Sequence, residues 1–453
     1  MNILNPADGS LIRELAEDDA RAVSDKYGRA RAAQPEWASV ALEDRLAAIG
    51  KFKVLVEDGK NELAATLTRE TGKPISQSRN ELNALAGRID FFLGSTRRAL
   101  EPETVLADPQ MHERITHEPL GVIANISAWN YPYFVGSNVF VPALLAGNAV
   151  LYKPSEFASL TGLAIGEMLH AAGVPKDVFS VVVGGGTTGG LLVDQPVDGV
   201  FFTGSFATGA RIAAACAPRM LKLQLELGGK DPTYVCEDAD VKTAVESLAD
   251  GAMYNAGQSC CSVERIYVHE RIHDHFVEVF AATVQGYKRG DPMDEATYLG
   301  PLARAPQLAV LERQVADAVA KGAKLLAGGK RVPQPGNWFE ATVFSNVDHS
   351  MELMREESFG PVIGIQKVAG DAEAVRLMND TAYGLTAGVY TPDEARARRI
   401  LAQLRSGSVY WNCCDRVSPR LPWSGVGHSG VGVTLSTYGI QAFTRPKAWH
   451  LRG

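Results

Sequence analysis

From Val122 onward, short β-branched runs alternate with helical windows, and that alternation restricts the chain to few folds. The runs cover 122–126, 149–152, 179–183, 199–202, 223–227, 232–235 and 265–268, and helical stretches such as 160–172 and 241–253 fill the gaps. This pattern predicts an α/β chain with a doubly wound parallel sheet. Residues 271–404 alternate again and read as a second α/β unit. Ahead of the sheet, residues 17–97 read as helices. Apolar residues recur at helical spacing in Leu46, Ile49, Phe52 and Leu55 and again in Leu63 and Leu67, and Pro74 starts a new helix after the Thr71-Gly72-Lys73 break. No leading hairpin is expected. Residues 101–119 and 438–450 are strand-like and polar-alternating without a sheet of their own, which suits arms reaching another subunit. With 453 residues, 46% hydrophobic and 21% charged, the chain has length for two or three domains.

Charge and composition remove several functions. A net charge of −7 leaves no basic face to neutralise phosphates, so no nucleic-acid partner is expected. The richest apolar window, 135–151, is interrupted by Gly136, Ser137, Asn138, Pro142, Gly147 and Asn148, so no membrane span is expected. Met1-Asn2-Ile3-Leu4-Asn5-Pro6 has neither a basic nor an apolar signal region. The six cysteines include the adjacent pairs Cys260-Cys261 and Cys413-Cys414, and no Cys/His spacing suits zinc or another metal. A reducing cytoplasm fits this usage.

Within that frame, Tyr254-Asn255-Ala256-Gly257-Gln258-Ser259-Cys260-Cys261 carries chemistry. A thiol among small polar neighbours, preceded by glycine, is poorly placed for packing and well placed to meet a substrate. The competing reading is a structural cysteine, and Cys261 takes that role. Glu226 lies in an apolar run before Gly228-Gly229. Desolvation there raises its pKa and makes it a base near neutrality, unless it pairs with Lys222 or Lys230. Asn130, in Ala128-Trp129-Asn130-Tyr131-Pro132, ends a predicted strand. Its amide suits either a developing oxyanion, together with the Cys260 N–H, or a turn before proline.

Other motifs suit a dinucleotide. Lys153-Pro154-Ser155-Glu156 follows the 149–152 run. Glu156 there can accept hydrogen bonds from both adenosine ribose hydroxyls and repel a 2′-phosphate, favouring NAD over NADP. Lys153 can contact the same ribose. Ser155 as an N-cap with Glu156 in a first helical turn is equally compatible. Gly184-Gly185-Gly186-Thr187-Thr188-Gly189 matches G-x-G-x-x-G, and Phe202-Thr203-Gly204-Ser205-Phe206-Ala207-Thr208-Gly209 is a second strand-to-helix turn. Either can hold a pyrophosphate or be a tight connection. Glu356-Glu357-Ser358-Phe359-Gly360-Pro361 offers a carboxylate and an aromatic for a nicotinamide riboside, or a solvated helix end.

These motifs, in this order, resemble the aldehyde dehydrogenase superfamily. The resemblance runs from Asn5-Pro6-Ala7-Asp8-Gly9 through Glu70-Thr71-Gly72-Lys73-Pro74 to Phe443-Thr444-Arg445-Pro446-Lys447, nearly the whole chain. It implies an NAD-binding domain (1–100 and 120–227), a catalytic domain (228–435) and a small β oligomerisation element (101–119 and 436–453). It implies Cys260 as nucleophile, Glu226 as base and Asn130 as oxyanion donor. The cofactor would be NAD, with NADP disfavoured, on Ile126, Ser127, Trp129, Lys153, Ser155, Glu156, Gly186, Phe202, Gly204, Ser205, Gly209 and Leu227, with Glu357 and Phe359 at the nicotinamide riboside. A homodimer or a dimer of dimers is implied. Two departures stand out: Ala128 replaces a proline, and Val433-Thr434 replaces an Arg-Glu pair, which removes any proton route through that glutamate.

The implied substrate mouth comprises Tyr131, Val135, Asn138, Cys261, Cys414, Asp415, Arg416, Val417 and Trp423. Tyr131 and Trp423 suit a small to medium aliphatic or aromatic aldehyde. Arg416 allows a semialdehyde with a distal carboxylate, Asp415 allows an amine, and the two can also neutralise each other. Rival functions are a CoA-acylating relative, disfavoured by Glu226, a cysteine hydrolase using His269 or His273, and an inactive binding protein that keeps the fold.

Overall fold

In the computed structural model, which describes residues 1–452, the alternating segment forms a six-stranded sheet. Its order is Gly430–Val431, Lys222–Glu226, Gly199–Thr203, Val122–Ile126, Ala149–Lys153 and Phe179–Val181. All pairings are parallel except that of Gly430–Val431. The chain steps outward in one direction from Val122–Ile126, then returns to its other side with Gly199–Thr203. That reversal opens a crevice at the strand C-termini, where doubly wound sheets bind ligands. Every residue of Val122–Ile126 and Ala149–Lys153 is buried, which explains why these runs are mostly apolar, with Asn125 and Lys153 the exceptions, rather than alternating.

A second sheet of seven strands runs Lys324–Ala327, Thr342–Ser345, Val362–Val368, Val263–His269, Asp231–Val235, Thr386–Tyr390 and Ser408–Trp411. It is parallel except at Lys324–Ala327. A third, antiparallel sheet pairs Thr444–Arg452 with Met111–Pro119 and Met111–Pro119 with Glu103–Ala107. Glu103–Ala107 is exposed along its length.

The helical segment resolves into Ala20–Ser39, Leu42–Asp58, Lys60–Thr71 and Ile75–Leu100. The last buries Leu82, Leu85, Ile89 and Phe92 at three- and four-residue steps. Each such side chain contributes roughly 2 kcal/mol by leaving water. This long helix packs beside Pro132–Leu145 and so forms one wall of the region beyond the first sheet.

Three expectations need correction. Asn2–Leu4 and Leu11–Glu14 do form a leading hairpin. Residues 438–450 are not one strand: Ser436–Gln441 is helical and buries Ile440, and the strand begins at Thr444. Packing on the long helix overrides the polar alternation there. Residues 430–431, assigned with the second unit, pair with Leu225 and Glu226 at the edge of the first sheet.

Candidate active site

Two cavities lie at the strand ends, and Thr203 lines both. The first has a volume of about 550 Å³. Ile126, Ser127, Trp129, Lys153, Ser155, Glu156, Gly186, Phe202, Gly204 and Ser205 line it, ten of the residues expected around a cofactor. Lys153 is buried, and its ammonium donates only to the Pro154 carbonyl, at 3.1 Å. Two further N–H groups thus remain for a ribose. A Cβ on Gly186 would meet nothing within 4 Å, so bare backbone faces the cavity where Gly186–Val193 begins. Ser205 caps Phe206–Cys216, its hydroxyl accepting from the Thr208 N–H. These features fit a dinucleotide with a phosphate at a helix start.

The second cavity, of about 590 Å³, is lined by Cys260, Glu226, Tyr131, Val135, Asn138, Cys261, Asp415, Arg416, Val417 and Trp423. Cys260 follows Asn255, Ala256 and Gly257, whose φ values are 52°, 53° and 70°. Left-handed backbone at two non-glycine residues costs about 1–2 kcal/mol each and persists only where surroundings enforce it. Here side chains do so. The Asn255 N–H donates to Gln77 Oε1 at 2.9 Å, Gln258 Nε2 donates to the Asn255 carbonyl at 3.0 Å, and the Ala303 N–H donates to Gln258 Oε1 at 2.9 Å. Gly257 itself tolerates no side chain, since a Cβ would lie 2.3 Å from the Gly360 carbonyl oxygen. The result presents a half-buried Cys260 thiol to the cavity.

Asn130 is buried behind that loop. Its Nδ2 donates to the Gln258 carbonyl at 3.1 Å, and its own carbonyl accepts from Asn255 Nδ2 at 3.3 Å. One amide N–H is thereby committed to the loop, and the second is left for another acceptor. Cys261 is buried, and its thiol donates to Asp415 Oδ1 at 2.9 Å. Hydrogen bonding with the Cys260 thiol, burial and the Asp415 charge hold the Cys261 pKa well above the usual thiol range. Asp415 is therefore engaged by a thiol rather than by Arg416. Tyr131 stacks on Phe134 and lies under the Lys73 ammonium, 3.9 Å from its ring centroid.

Glu226 ends its strand beside Thr203, in register with it. Burial pushes its pKa up to about 7, against a hydrogen bond from Thr434 and the charge of Arg88. The Thr434 hydroxyl donates to Glu226 Oε1, and Gln224 Nε2 donates to the same oxygen at 3.3 Å. Thr434 is fully buried and its backbone is clamped to Trp423 on both sides. Neither Lys222 nor Lys230 pairs with Glu226: Lys230 bonds Glu264 at 2.5 Å instead.

Some expected residues do not line either cavity. Gly209 and Leu227 pack against each other behind the wall, where a Cβ on Gly209 would lie 2.6 Å from Leu227. Glu357 sits on the Gly228-Gly229 turn, accepting from the Gly229 N–H at 3.2 Å, and burial raises its pKa to about 8. Phe359 contacts the cofactor cavity only through Trp129, edge-on with centroids 5.6 Å apart. Cys414, expected at the mouth, is buried against Gly251, and its thiol donates to the Ser247 carbonyl at 3.3 Å. The sequence reading missed the wall contributed by the long helix, from Gln77 to Arg88, and also Phe134, Tyr254 and Arg420. Polar residues on a helix read as a solvent face, and only the three- and four-residue steps from Gln77 through Glu81 and Ala84 to Arg88 hinted at one shared face.

Comparison with known proteins agrees with this geometry. The model of the aldehyde dehydrogenase family matches residues 1–449. A betaine aldehyde dehydrogenase of Bacillus subtilis (strain 168) is 34% identical over 454 residues, covering 98% of this chain and 93% of the relative. A 3,6-anhydro-alpha-L-galactose dehydrogenase of Streptomyces coelicolor is 37% identical over 456 residues, covering 99% and 92%. The crystal structure of an NAD-dependent aldehyde dehydrogenase from Sinorhizobium meliloti superposes with a TM-score of 0.97 at 33% identity, covering 100% of this chain and 91% of that one. Fold and site thus define an oxidoreductase that uses a nicotinamide dinucleotide. The chain belongs to the aldehyde dehydrogenase family and oxidises aldehydes with NAD or NADP. Among the described residues, no helix is long and apolar enough to cross a membrane.

Proposed function

We propose that this enzyme converts an aldehyde to its carboxylic acid with NAD, through an acyl group held on Cys260 and released by water that Glu226 activates. The observation that carries the reading is the shared wall: Cys260 and Glu226 line one cavity, which meets at Thr203 the cavity lined by the residues expected around a dinucleotide. The Cys260 thiolate bonds to the aldehyde carbon, and the resulting oxyanion is stabilised by the free Asn130 N–H and the Cys260 N–H. Each such donor typically lowers the barrier by about 3 kcal/mol. A bound nicotinamide would supply the hydride acceptor for that carbon, and Cys260 would then carry the acyl group as a thioester. Glu226 then takes a proton from water as the water oxygen bonds to the acyl carbon, the C–S bond breaks, the acid leaves with the Cys260 thiolate restored, and Glu226 gives its proton up to solvent. Lys153, Ser155 and Glu156 hold the adenosine ribose, Glu156 excluding a 2′-phosphate. Gly186, Gly204 and Ser205 face the phosphates, with Gly209, Leu227, Glu357 and Phe359 supporting the cradle from behind. The three sheets correspond to cofactor-binding, catalytic and oligomerisation units. The exposed third sheet suits a homodimer or a dimer of dimers, and six unpaired cysteines suit the cytoplasm.

Following NADH absorbance over a panel of aldehydes, with NAD and NADP in parallel, tests this. Turnover with NAD, slower turnover with NADP and no acceleration by CoA are expected. CoA-dependent turnover, or ester cleavage indifferent to NAD with no aldehyde oxidation, would replace the reading.

The Thr434 contact leads to a prediction. Its hydroxyl lowers the Glu226 pKa, and Glu226 acts as base only when ionised. Thr434→Val should therefore raise that pKa and move the acidic limb of the kcat–pH profile upward by roughly one pH unit. An unmoved limb would show that Thr434 only packs.

A further inference from the structure

The helix Ile75–Leu100 places Arg88 at the far end of its cavity-facing stripe. Arg88 is 5% exposed, yet its guanidinium has one hydrogen bond, from Nη1 to Asn138 Oδ1 at 2.7 Å. It lies 4.2 Å from the centroid of the Phe134 ring. Among the described residues it forms no salt bridge. A buried cation held by one neutral amide and one ring face is costly unless an anion completes its surroundings. Its planar fork matches a carboxylate in two parallel hydrogen bonds.

The carboxylates of the wall act on Arg88 through their charge, but each is bonded to another group and none forms an ion pair with it. Glu81 bonds Lys73 at 2.5 Å and accepts from the Tyr133 N–H at 2.9 Å. Asp250 accepts from the Tyr298 hydroxyl at 2.5 Å. Asp415 holds the Cys261 thiol, and burial raises its pKa. Glu226 is bonded to Thr434 and drawn toward neutrality. Burial lowers the Arg88 pKa to about 10, against the charges of Glu226 and Glu81, so it stays cationic at neutral pH. At the mouth, Arg416 and Arg420 are exposed and add positive charge.

We propose that Arg88 sets substrate specificity, and that the substrate is an aldehyde with a carboxylate at its far end, docked on Arg88 with the aldehyde carbon toward Cys260. This rests on the thiol chemistry proposed above and names the substrate class of that same site. Asn138 orients the guanidinium, and Arg416 guides the anion at the mouth. A quaternary ammonium, the group in the substrate name of the Bacillus relative, would here meet an uncompensated cation.

The test compares kcat/KM for succinic semialdehyde, butanal and betaine aldehyde in wild type, Arg88→Lys and Arg88→Met. Wild type should favour the semialdehyde over butanal by at least about 30-fold, and Arg88→Met should cut that ratio by about 100-fold, with Arg88→Lys between. Glutarate should inhibit wild-type butanal oxidation competitively and lose that effect in Arg88→Met. Preference of wild type for butanal or betaine aldehyde overturns the proposal, as does an unchanged ratio in Arg88→Met. A shifted acidic limb with butanal at unchanged ratio would assign Arg88 to Glu226 instead and equally overturn it. Should Arg88→Met not fold, the wild-type ratio and glutarate inhibition decide. Failure of the underlying chemistry reads differently: no acyl adduct on Cys260 with any of the three aldehydes.

Discussion

Cys260→Ala is expected to lower kcat for aldehyde oxidation by at least about 10⁴-fold, because the variant has no atom to hold the acyl group. The neighbouring thiol cannot substitute. Cys261 is buried, bonded to Asp415 and held protonated by its surroundings, whereas the thiolate is the nucleophilic form. NAD binding should survive, since Cys260 lies outside the cofactor cavity and Trp129 lines it. Quenching of tryptophan fluorescence by NAD would check this. Mass spectrometry of enzyme quenched in mid-reaction should find the acyl mass at Cys260 in wild type and nowhere in the variant. Activity within tenfold of wild type would remove Cys260 from the mechanism.

Glu226→Gln is expected to separate the two halves of the reaction. The acylation half does not need the base, so a first burst of NADH should persist. Hydrolysis of the thioester does need it, and steady-state turnover should fall by about 10²–10⁴-fold. In wild type the acidic limb of kcat should lie near the Glu226 pKa of about 7, which burial sets. The rate falls as pH drops through that value because the protonated carboxyl cannot accept a proton from water. The variant should lose this limb. Equal loss of burst and steady state would mean that Glu226 acts before or during acylation, and stopped-flow absorbance distinguishes the two.

The strand–helix alternation was readable because a doubly wound sheet buries both faces, so its strands are apolar runs that local sequence displays. Cys260, Glu226 and ten of the residues expected around a cofactor could be singled out locally, because they sit in short segments beside glycines or at predicted strand ends, and the structure places them on two adjoining cavities. The cavity that Cys260 and Glu226 share required the fold, since Glu226 ends a strand of the first sheet and Cys260 lies in the turn before Val263–His269 of the second. The sequence also offered Arg416 for an anion, and that side chain is exposed at the mouth.

What escaped the sequence depends on long-range contacts. Arg88 and Asn138 are 50 positions apart and meet only because two helices pack. Thr434 stands 208 positions from Glu226, and its bond exists because residues 430–431 return to the edge of the first sheet. Local patterning specifies which elements form and which residue types are reactive, because propensity and periodicity act over a few residues. Which charges are left without a partner, and which hydroxyl tunes the base, follows from packing between distant elements, and no short window of sequence encodes that.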